Sequence, residues 1–256
     1  MESAHADRSG PPPSRPSEPS EPSEPSEPSE PERRNLDLWN EYGAHHRSRG
    51  TEIPEPDSLY WGYWEGVGPG EEILGDLTGR RVLDLCSGMG RYAAYLARAG
   101  ARVDAVEGAR SQHERAVARF GGTPGLRLVH ADAVAHLRGT EPYDVVLSAH
   151  GLAFLDPYRV LPALASALAP GGRLVFSVLH TSTAGDGPWD TVAARPEALR
   201  LGDLGPRPVE MWVLTPSRWQ ALLGEHGLVV DQVEILAAPG AGDRTCCTLL
   251  LAHRPD

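Results

Sequence analysis

The sequence contains no lysine, so all 24 of its Lys and Arg residues are arginine. This absence excludes enzyme classes that depend on a lysine amine, such as Walker-type phosphate loops, Schiff-base enzymes and Tyr-x-x-x-Lys dehydrogenases. Exclusive use of arginine also indicates a GC-rich genome. Any chemistry of this chain must therefore rely on other polar groups.

Cysteine and long apolar runs are also scarce. There are three cysteines, Cys86, Cys246 and Cys247, and they do not form the paired set that provides disulfide bonds in secreted domains. No apolar leader and no run of about 18 apolar residues is present. We therefore expect a cytoplasmic protein without a membrane partner.

Clustered positive charge is missing as well. Residues 1–32 hold eight acids and two arginines, which leaves 27 acids against 22 arginines in the other 224 residues. A body with a net charge of −5 and no basic stripe lacks the cations that release counterions from nucleic acid. We expect no nucleic-acid partner.

The N-terminal segment is dominated by proline, serine and glutamate, with five Ser-Glu-Pro triplets from Ser17 to Pro31. Such a composition favours extended polyproline geometry and offers nothing to bury. We predict a disordered tail over residues 1–34 and one domain over residues 35–256. The tail is interpreted as a linker or solubilising segment, with a docking or phosphorylation segment as the alternative.

The domain alternates short apolar runs with helical stretches, which is typical of βαβ units on a parallel sheet. The predicted strands are Arg81–Cys86, Arg102–Glu107, Leu126–His130, Asp144–Ala149 and Arg173–Leu179. The predicted helices between them are Arg91–Arg98, Ser111–Arg119, Ala133–Leu137 and Tyr158–Leu168. Asp156 and Pro157 are suited to the cap and first position of the last helix.

After the fifth strand the alternation stops. Residues 181–209 are rich in Gly, Pro, Thr and Asp and are predicted to form an insertion that covers the active site. A helix near Thr215–Gly227 and two strands, Leu228–Leu236 and Arg244–His253, complete the chain. The fold class is therefore α/β: a Rossmann-like, mostly parallel seven-stranded sheet with helices on both faces and a C-terminal antiparallel hairpin.

Residues 35–77 are predicted to be an N-terminal helical cover that begins with an amphipathic helix at Asn35–Arg49. Aromatic residues are concentrated in this segment. One interpretation is that they anchor the helix to the sheet; the other makes them a substrate lid. The candidate lid residues are Tyr42, Tyr60, Trp61 and Trp64.

The stretch Val82–Ala97, VLDLCSGMGRYAAYLA, enters a glycine turn from a strand and leaves it as a helix. Gly88 and Gly90 in such a turn permit close approach of a ligand to free backbone donors. Three acids mark successive strand ends: Asp84 suits an ammonium group, Glu107 two ribose hydroxyls, and Asp132 an exocyclic amine. Ammonium, ribose and adenine are the parts of S-adenosylmethionine.

With these motifs in this order, the region from Leu36 to His253 resembles the class I S-adenosylmethionine-dependent methyltransferases. The resemblance implies that Asp84, Ser87, Gly88 and Gly90 face the methionine portion of the cofactor. It places Glu107 at the ribose, Asp132 and Ala133 at the adenine, and Ser148 near the methionine amine. Cys86 departs from the usual glycine, and we expect it to adopt an ordinary negative φ.

Methyl transfer is an in-line displacement that needs positioning and no metal, and a hydroxyl acceptor benefits from a general base. His150 and His180 follow the fourth and fifth strands and are candidate bases. The alternative for each is a purely structural or binding role.

Ser148-Ala149-His150-Gly151 does not resemble the Asn/Asp-Pro-Pro-Tyr/Phe motif of enzymes that methylate base or glutamine amines. The sequence therefore favours methylation of N or O on a small organic acceptor, and the family resemblance implies a setting in bacterial specialised metabolism. The alternatives are a peptide or protein methyltransferase, a non-catalytic S-adenosylmethionine-binding protein and, least favoured, a nicotinamide dehydrogenase.

Overall fold

A computed structural model of the protein describes residues 27–51, 54–240 and 242–256. Its helices are α1 Glu30–Ser48, α2 Arg91–Arg98, α3 Arg110–Phe120, α4 Ala133–Arg138, α5 Pro157–Ala167 and α6 Pro216–Glu225. Its strands are β1 Arg81–Leu85, β2 Arg102–Glu107, β3 Leu126–His130, β4 Tyr143–Ala149, β5 Leu168–Thr181, β6 Arg195–Arg200, β7 Pro206–Met211, β8 Val229–Ala237 and β9 Cys246–His253.

The main sheet has seven strands in the order β3-β2-β1-β4-β5-β9-β8. Strands β1 to β5 pair in parallel, whereas β9 runs antiparallel to both β5 and β8. The predicted fold class is confirmed. Strand order reverses between β1 and β4, and ligands of such sheets bind at the carboxyl edge where this reversal occurs.

Two apolar clusters hold the helices against the faces of the sheet. Leu161, Leu164 and Trp219 belong to the cluster beneath α4, α5 and α6. Trp61 and Leu96 belong to the cluster on the opposite face, beneath α2 and the N-terminal cover. Asp156 accepts a hydrogen bond from the Tyr158 N–H at 3.0 Å and Pro157 is the first residue of α5, as predicted.

Helix α1 begins at Glu30, five residues before the predicted start at Asn35 and within the predicted tail of residues 1–34. Its first turn contains Pro31, which is tolerated there because the first N–H groups of a helix have no intrahelical partner. The Ser29 N–H donates to Glu32 Oε2 at 2.7 Å. The last Ser-Glu-Pro triplet therefore starts the domain, while residues 1–26 of the predicted tail lie outside the described residues.

The predicted insertion over residues 181–209 contains β-strands that its composition did not predict. Strands β6 and β7 pair antiparallel as a separate two-stranded sheet, from Arg195↔Met211 to Arg200↔Pro206. Proline is tolerated in a two-stranded ribbon because both strands have an edge without a partner. The pairing thus lies largely within the segment that was predicted to be an insertion.

Helix α1 is docked against both the domain and this ribbon. The side-chain amide of Asn35 donates to the Glu210 carbonyl at 2.7 Å and accepts from the Glu210 N–H at 2.9 Å. Gly43 allows α1 to approach α3 closely, since a Cβ there would lie 2.3 Å from Ser111 Oγ. The N-terminal helix is therefore fitted over the carboxyl edge of the sheet.

Candidate functional site

A cavity of about 540 Å³ lies at the carboxyl edge of the sheet, enclosed from above by α1 and by the β6–β7 ribbon. Its walls come from the ends of β1, β2 and β4, from the start of α4, and from these two covering elements. The residues that line it include Glu32, Trp39, Tyr63, Asp84, Cys86, Ser87, Gly88, Glu107, Asp132, Ala133, His150, Phe154, Leu199 and Met211.

Asp84 occupies a buried position in β1 and is only 4% exposed. Burial raises the pKa of its carboxyl group to about 7, and the negative charge of Glu107 adds to this, while a backbone hydrogen bond from Ala93 opposes it. A buried carboxylate without a cation gains strongly from an ammonium partner. Asp84 lines the cavity, and its role at the methionine end stays a prediction.

Glu107 ends β2 and is held by two backbone donors. The Gly88 N–H donates to Oε2 at 2.8 Å, and the Ala109 N–H donates to Oε1 at 2.7 Å. Burial raises its pKa to about 7, and these backbone bonds lower it in part. Because each carboxylate oxygen has two lone pairs, both remain able to accept from vicinal hydroxyls.

The glycine turn differs from its predicted role in one respect. Its backbone donors are used within the protein: the N–H of Ser87 donates to Val106 at 3.1 Å, and that of Gly90 to Ser87 at 2.9 Å. Gly88, with φ +56°, and Ser87 line the cavity. Gly90, with φ +74°, does not; a Cβ there would contact Leu128 at 3.4 Å, so Gly90 serves packing beneath the turn.

Cys86 contradicts the expectation of an ordinary negative φ, because its φ is +59°. The chain thus keeps the left-handed turn that glycine would adopt and accepts a side chain in it. Burial, together with the nearby charges of Glu107 and Asp84, raises the pKa of the Cys86 thiol well above its ordinary value. The neutral thiol is a wall of the cavity and a poor nucleophile.

Asp132 caps α4 and is joined to two other helices by a buried arginine. The Ala135 N–H donates to Asp132 Oδ1 at 2.9 Å, and Arg159 Nη2 donates to the same oxygen at 2.7 Å. Arg159 Nη1 donates to Glu32 Oε1 at 3.0 Å. Asp132 and Ala133 both line the cavity, and their assignment to the adenine stays a prediction.

Ser148 is not in the cavity, contrary to its predicted place near the methionine amine. Its side chain is fully buried in β4, and its hydroxyl donates to the Leu85 carbonyl at 2.8 Å. Residues alternate between the two sides of a strand, and Ser148 points toward β1 while the following residues reach the cavity. Its role is to tie the ends of two strands together.

His150 lines the cavity but has no free ring nitrogen. Nε2 lies 3.1 Å from the Gly62 carbonyl, which can only accept, so Nε2 carries the proton. Nδ1 lies 3.4 Å from the Ser177 hydroxyl, and the ring stacks on Tyr63 at 4.2 Å. Burial lowers the pKa of His150 to about 4, so the ring is neutral.

His180, the other candidate base, is not among the cavity-lining residues. It lies near the end of the long strand β5, where Nδ1 is 2.9 Å from Thr248 Oγ1 on β9. Burial lowers its pKa. Its separation from the cavity arises because β5 continues to Thr181 and carries this side chain past the edge formed by β1 and β4.

The predicted lid residues Tyr42, Tyr60, Trp61 and Trp64 do not line the cavity either. Trp61 is fully buried in the cluster beneath α2, which agrees with the anchoring interpretation. Tyr42 packs against His46, Tyr60 against Tyr92, and Trp64 against Tyr63. Their neighbours Trp39 and Tyr63 form the aromatic wall instead.

A family model described as a methyltransferase domain matches residues 82–172. The match begins within β1 and ends at the turn into the central part of β5, so it contains all three acids of the cavity. The chain therefore contains a methyltransferase domain over these residues. This confirms the predicted family and enzyme class and, with them, S-adenosylmethionine as the cofactor of the class.

Several solved structures share the fold of this chain. An S-adenosylmethionine-dependent methyltransferase from Mesorhizobium loti is 21% identical with a TM-score of 0.54, and the match covers 72% of this chain and 95% of that one. The 1,6-didemethyltoxoflavin-N1-methyltransferase of Burkholderia thailandensis is 24% identical with a TM-score of 0.53, over 73% and 75% of the two chains. The [4+2]-cyclase SpnF is 16% identical with a TM-score of 0.60, over 88% and 96%.

No curated protein matches the sequence. Within the described ranges, none of the helices has the length and apolar character needed to cross a membrane. The same ranges contain no group of three or more His, Cys, Asp or Glu side chains arranged to hold a metal ion.

The sequence did not reveal several residues that cover or support the cavity. Glu32 was assigned to the tail by composition, although its position three residues after Ser29 is the signature of a helix start. Arg159 lies in the middle of a correctly predicted helix and carried no motif. Leu199 and Met211 lie in the β6–β7 ribbon, which the Gly- and Pro-rich composition of this segment did not predict.

Proposed function

We propose that this protein transfers the methyl group of S-adenosylmethionine to nitrogen or oxygen of a small organic acceptor in bacterial specialised metabolism. The observation that carries the proposal is that Asp84, Glu107 and Asp132, from three successive strand ends, line one cavity. Their chemistry fits the three polar parts of the cofactor, because carboxylates accept from an ammonium, from ribose hydroxyls and from an exocyclic amine.

In the proposed site, Asp84 binds the cofactor's ammonium group, Glu107 its ribose and Asp132 its adenine amine. Ser87 and Gly88 line the methionine end. When bound, the cofactor supplies an electrophilic methyl group on a sulfonium. The protein's contribution is to orient the acceptor in line with that methyl group and to exclude water, which accounts for much of the rate in such displacements.

The acceptor side of the cavity is formed by apolar and aromatic groups. Tyr63 and His150 stack there, Phe154 packs edge-on against Trp39, and Leu199 and Met211 come from the ribbon. A wall of this kind suits a flat organic molecule. Coverage by α1 and the ribbon favours a small acceptor over a protein surface.

We assign His150 to this wall rather than to proton transfer. Both of its ring nitrogens are engaged, and a pKa of about 4 makes the ring a weak base at neutral pH. A neutral amine acceptor needs no strong base, which is compatible with the N-methyltransferase of B. thailandensis sharing the fold.

Two other functions remain as outcomes of the test. Peptide or protein methylation would use residues before Glu30 for docking. A non-methylating role is illustrated by the [4+2]-cyclase, whose fold is similar. Both differ from the proposal in the molecule that receives label from the cofactor.

The direct test incubates the purified protein with S-adenosylmethionine labelled in its methyl group and an extract of the source organism. Label in a low-molecular-weight compound supports the proposal, label in protein favours the first alternative, and no transfer despite cofactor binding favours the second. Asp84→Asn is the matched negative control. Thermal stabilisation by S-adenosylhomocysteine, and none by NAD or NADP, checks the cofactor class.

A further inference from the structure

The structure assigns a positioning role to Arg159: held by Glu32 of α1, it fixes Asp132 so that one carboxylate oxygen reads the amino group of the cofactor's purine. The inference rests on the proposed function, since it concerns the adenine end of that site. It makes the N-terminal helix, which lies outside the matched methyltransferase span, a component of cofactor recognition.

The two oxygens of Asp132 have different surroundings. Oδ1 accepts from both the Ala135 N–H and Arg159 Nη2. Oδ2 receives no hydrogen bond from the residues that the structure describes. Because Asp132 lines the cavity, Oδ2 is the acceptor left for a ligand donor, and the two donors at Oδ1 set its direction.

Arg159 is itself oriented by α1. Its side chain is 1% exposed, and its two terminal nitrogens are divided between Glu32 at 3.0 Å and Asp132 at 2.7 Å. Its Nε is buried without a hydrogen-bond partner in the described part of the chain. The guanidinium thus bridges two carboxylates through its terminal nitrogens while its Nε makes no hydrogen bond. Its planar arrangement of N–H donors suits such a bridge.

Glu32 is fixed in turn by backbone donors. Oε1 accepts from the Asp156 N–H at 3.3 Å as well as from Arg159, and Oε2 accepts from the Ser29 N–H. Asn35, one turn later, binds the ribbon through the Glu210 backbone. The chain of contacts thus runs from the docked start of α1 through Arg159 to the adenine end of the cavity.

The test compares S-adenosylhomocysteine with S-inosylhomocysteine, in which a carbonyl oxygen replaces the purine amino group. Full-length wild type, Arg159→Met and Arg159→Lys are titrated with each by calorimetry. Arg195→Met is the control, because Arg195 is also a buried arginine, 3% exposed and paired with Glu197. Its loss perturbs folding without touching Asp132.

We expect wild type to prefer S-adenosylhomocysteine by ~10²-fold or more, since a site built to accept a hydrogen bond rejects an analogue that lacks the donor. Arg159→Met should reduce that ratio by ~10-fold, and Arg159→Lys should also reduce it because one ammonium cannot bridge both carboxylates in the same geometry. Arg195→Met should leave the ratio unchanged.

A ratio preserved in both Arg159 variants, with lower stability, would show a structural role only and overturn the inference. Equal binding of the two nucleosides by wild type would also overturn it while leaving the proposed methyl transfer intact. Absence of any binding to S-adenosylhomocysteine would instead refute the proposed function.

Discussion

Cys86 and His150 lie just beyond the ends of the adjacent parallel strands β1 and β4, and both have a left-handed backbone, with φ of +59° and +61°. They are the two non-glycine residues with positive φ in the described ranges, and both line the cavity. Gly151 lies against them: a Cβ there would come within 2.5 Å of Cys86 Cβ. Backbone strain of this kind persists where the surrounding fold imposes it, and it is concentrated here at the proposed site.

The conformation of Cys86 predicts a specific order of stabilities. Cys86→Gly should be more stable than Cys86→Ala by about 1 kcal/mol, because both lack the thiol and only alanine has a Cβ that opposes a positive φ. Denaturant unfolding of the two variants measures the difference. Equal stabilities would show that the turn relaxes to a negative φ in the alanine variant.

Close packing at Gly151 predicts that it tolerates no side chain. Gly151→Ala would bring a methyl group against Cys86, Ser148 Oγ at 2.9 Å and the Leu85 carbonyl at 3.2 Å, so the free energy of unfolding should fall by about 1–3 kcal/mol. Gly224→Ala, in α6 with open space at the Cβ position, is the control and should lose no stability. Comparable losses in both variants would contradict the packing argument.

Burial of Asp84 and Glu107 predicts how stability depends on pH in the free protein. Their pKa values rise from 3.8 and 4.5 in the unfolded chain to about 7, so the folded state binds protons more tightly. This contribution to stability is fully present below about pH 4 and is lost as the pH rises through 7. Denaturant unfolding between pH 5 and 8 should show a smaller decline in Asp84→Asn than in wild type; identical declines would refute the assignment.

The raised pKa of Asp84 also predicts that the affinity for the cofactor product depends on pH. An ammonium group favours the ionised form of Asp84, so S-adenosylhomocysteine should bind more tightly at pH 8 than at pH 6 and release protons on binding near pH 7. Calorimetry in buffers of different ionisation enthalpy measures the proton release. Affinity that is constant over this range would place the ligand away from Asp84.

The engaged ring of His150 predicts the behaviour of His150→Asn. Asparagine tolerates a positive φ, so the variant should fold and should bind S-adenosylhomocysteine as wild type does. Loss of the stacking on Tyr63 should raise KM for the acceptor while kcat changes less than ~10-fold. A fall in kcat of ~10²-fold or more, with loss of a limb in the pH–rate profile, would instead identify His150 as the general base.

The predicted secondary structure of the sheet was accurate because local patterns dictate it. The bounds of β2, β3 and α2 are those expected from the sequence, and Asp156 and Pro157 start α5. Apolar runs, capping residues and glycine turns act within a few residues of the chain. The order of the three acids along parallel strands was sufficient to predict that they share one edge.

Side-chain direction was much less accessible. Ser148 and His180 lie at strand ends, as predicted, yet one faces β1 and the other contacts β9. The aromatic residues of the cover were identified as a group, but Trp39 and Tyr63 line the cavity where Tyr42 and Trp61 were expected. A shift of one residue along a strand moves its side chains to the opposite face. In an irregular segment, no short sequence pattern determines which side chains face the cavity.

The sequence by itself determined the order of strands and helices, the glycine turn and the three acids, because each depends on interactions between near neighbours in the chain. Only the tertiary structure decided that Glu32 belongs to the site, that Arg159 joins it to Asp132, and that His150 has no free nitrogen. These facts arise from contacts such as the one across 127 positions between Arg159 and Glu32. Such contacts exist only when packing brings distant segments together, and burial then sets the charge state of the groups they enclose.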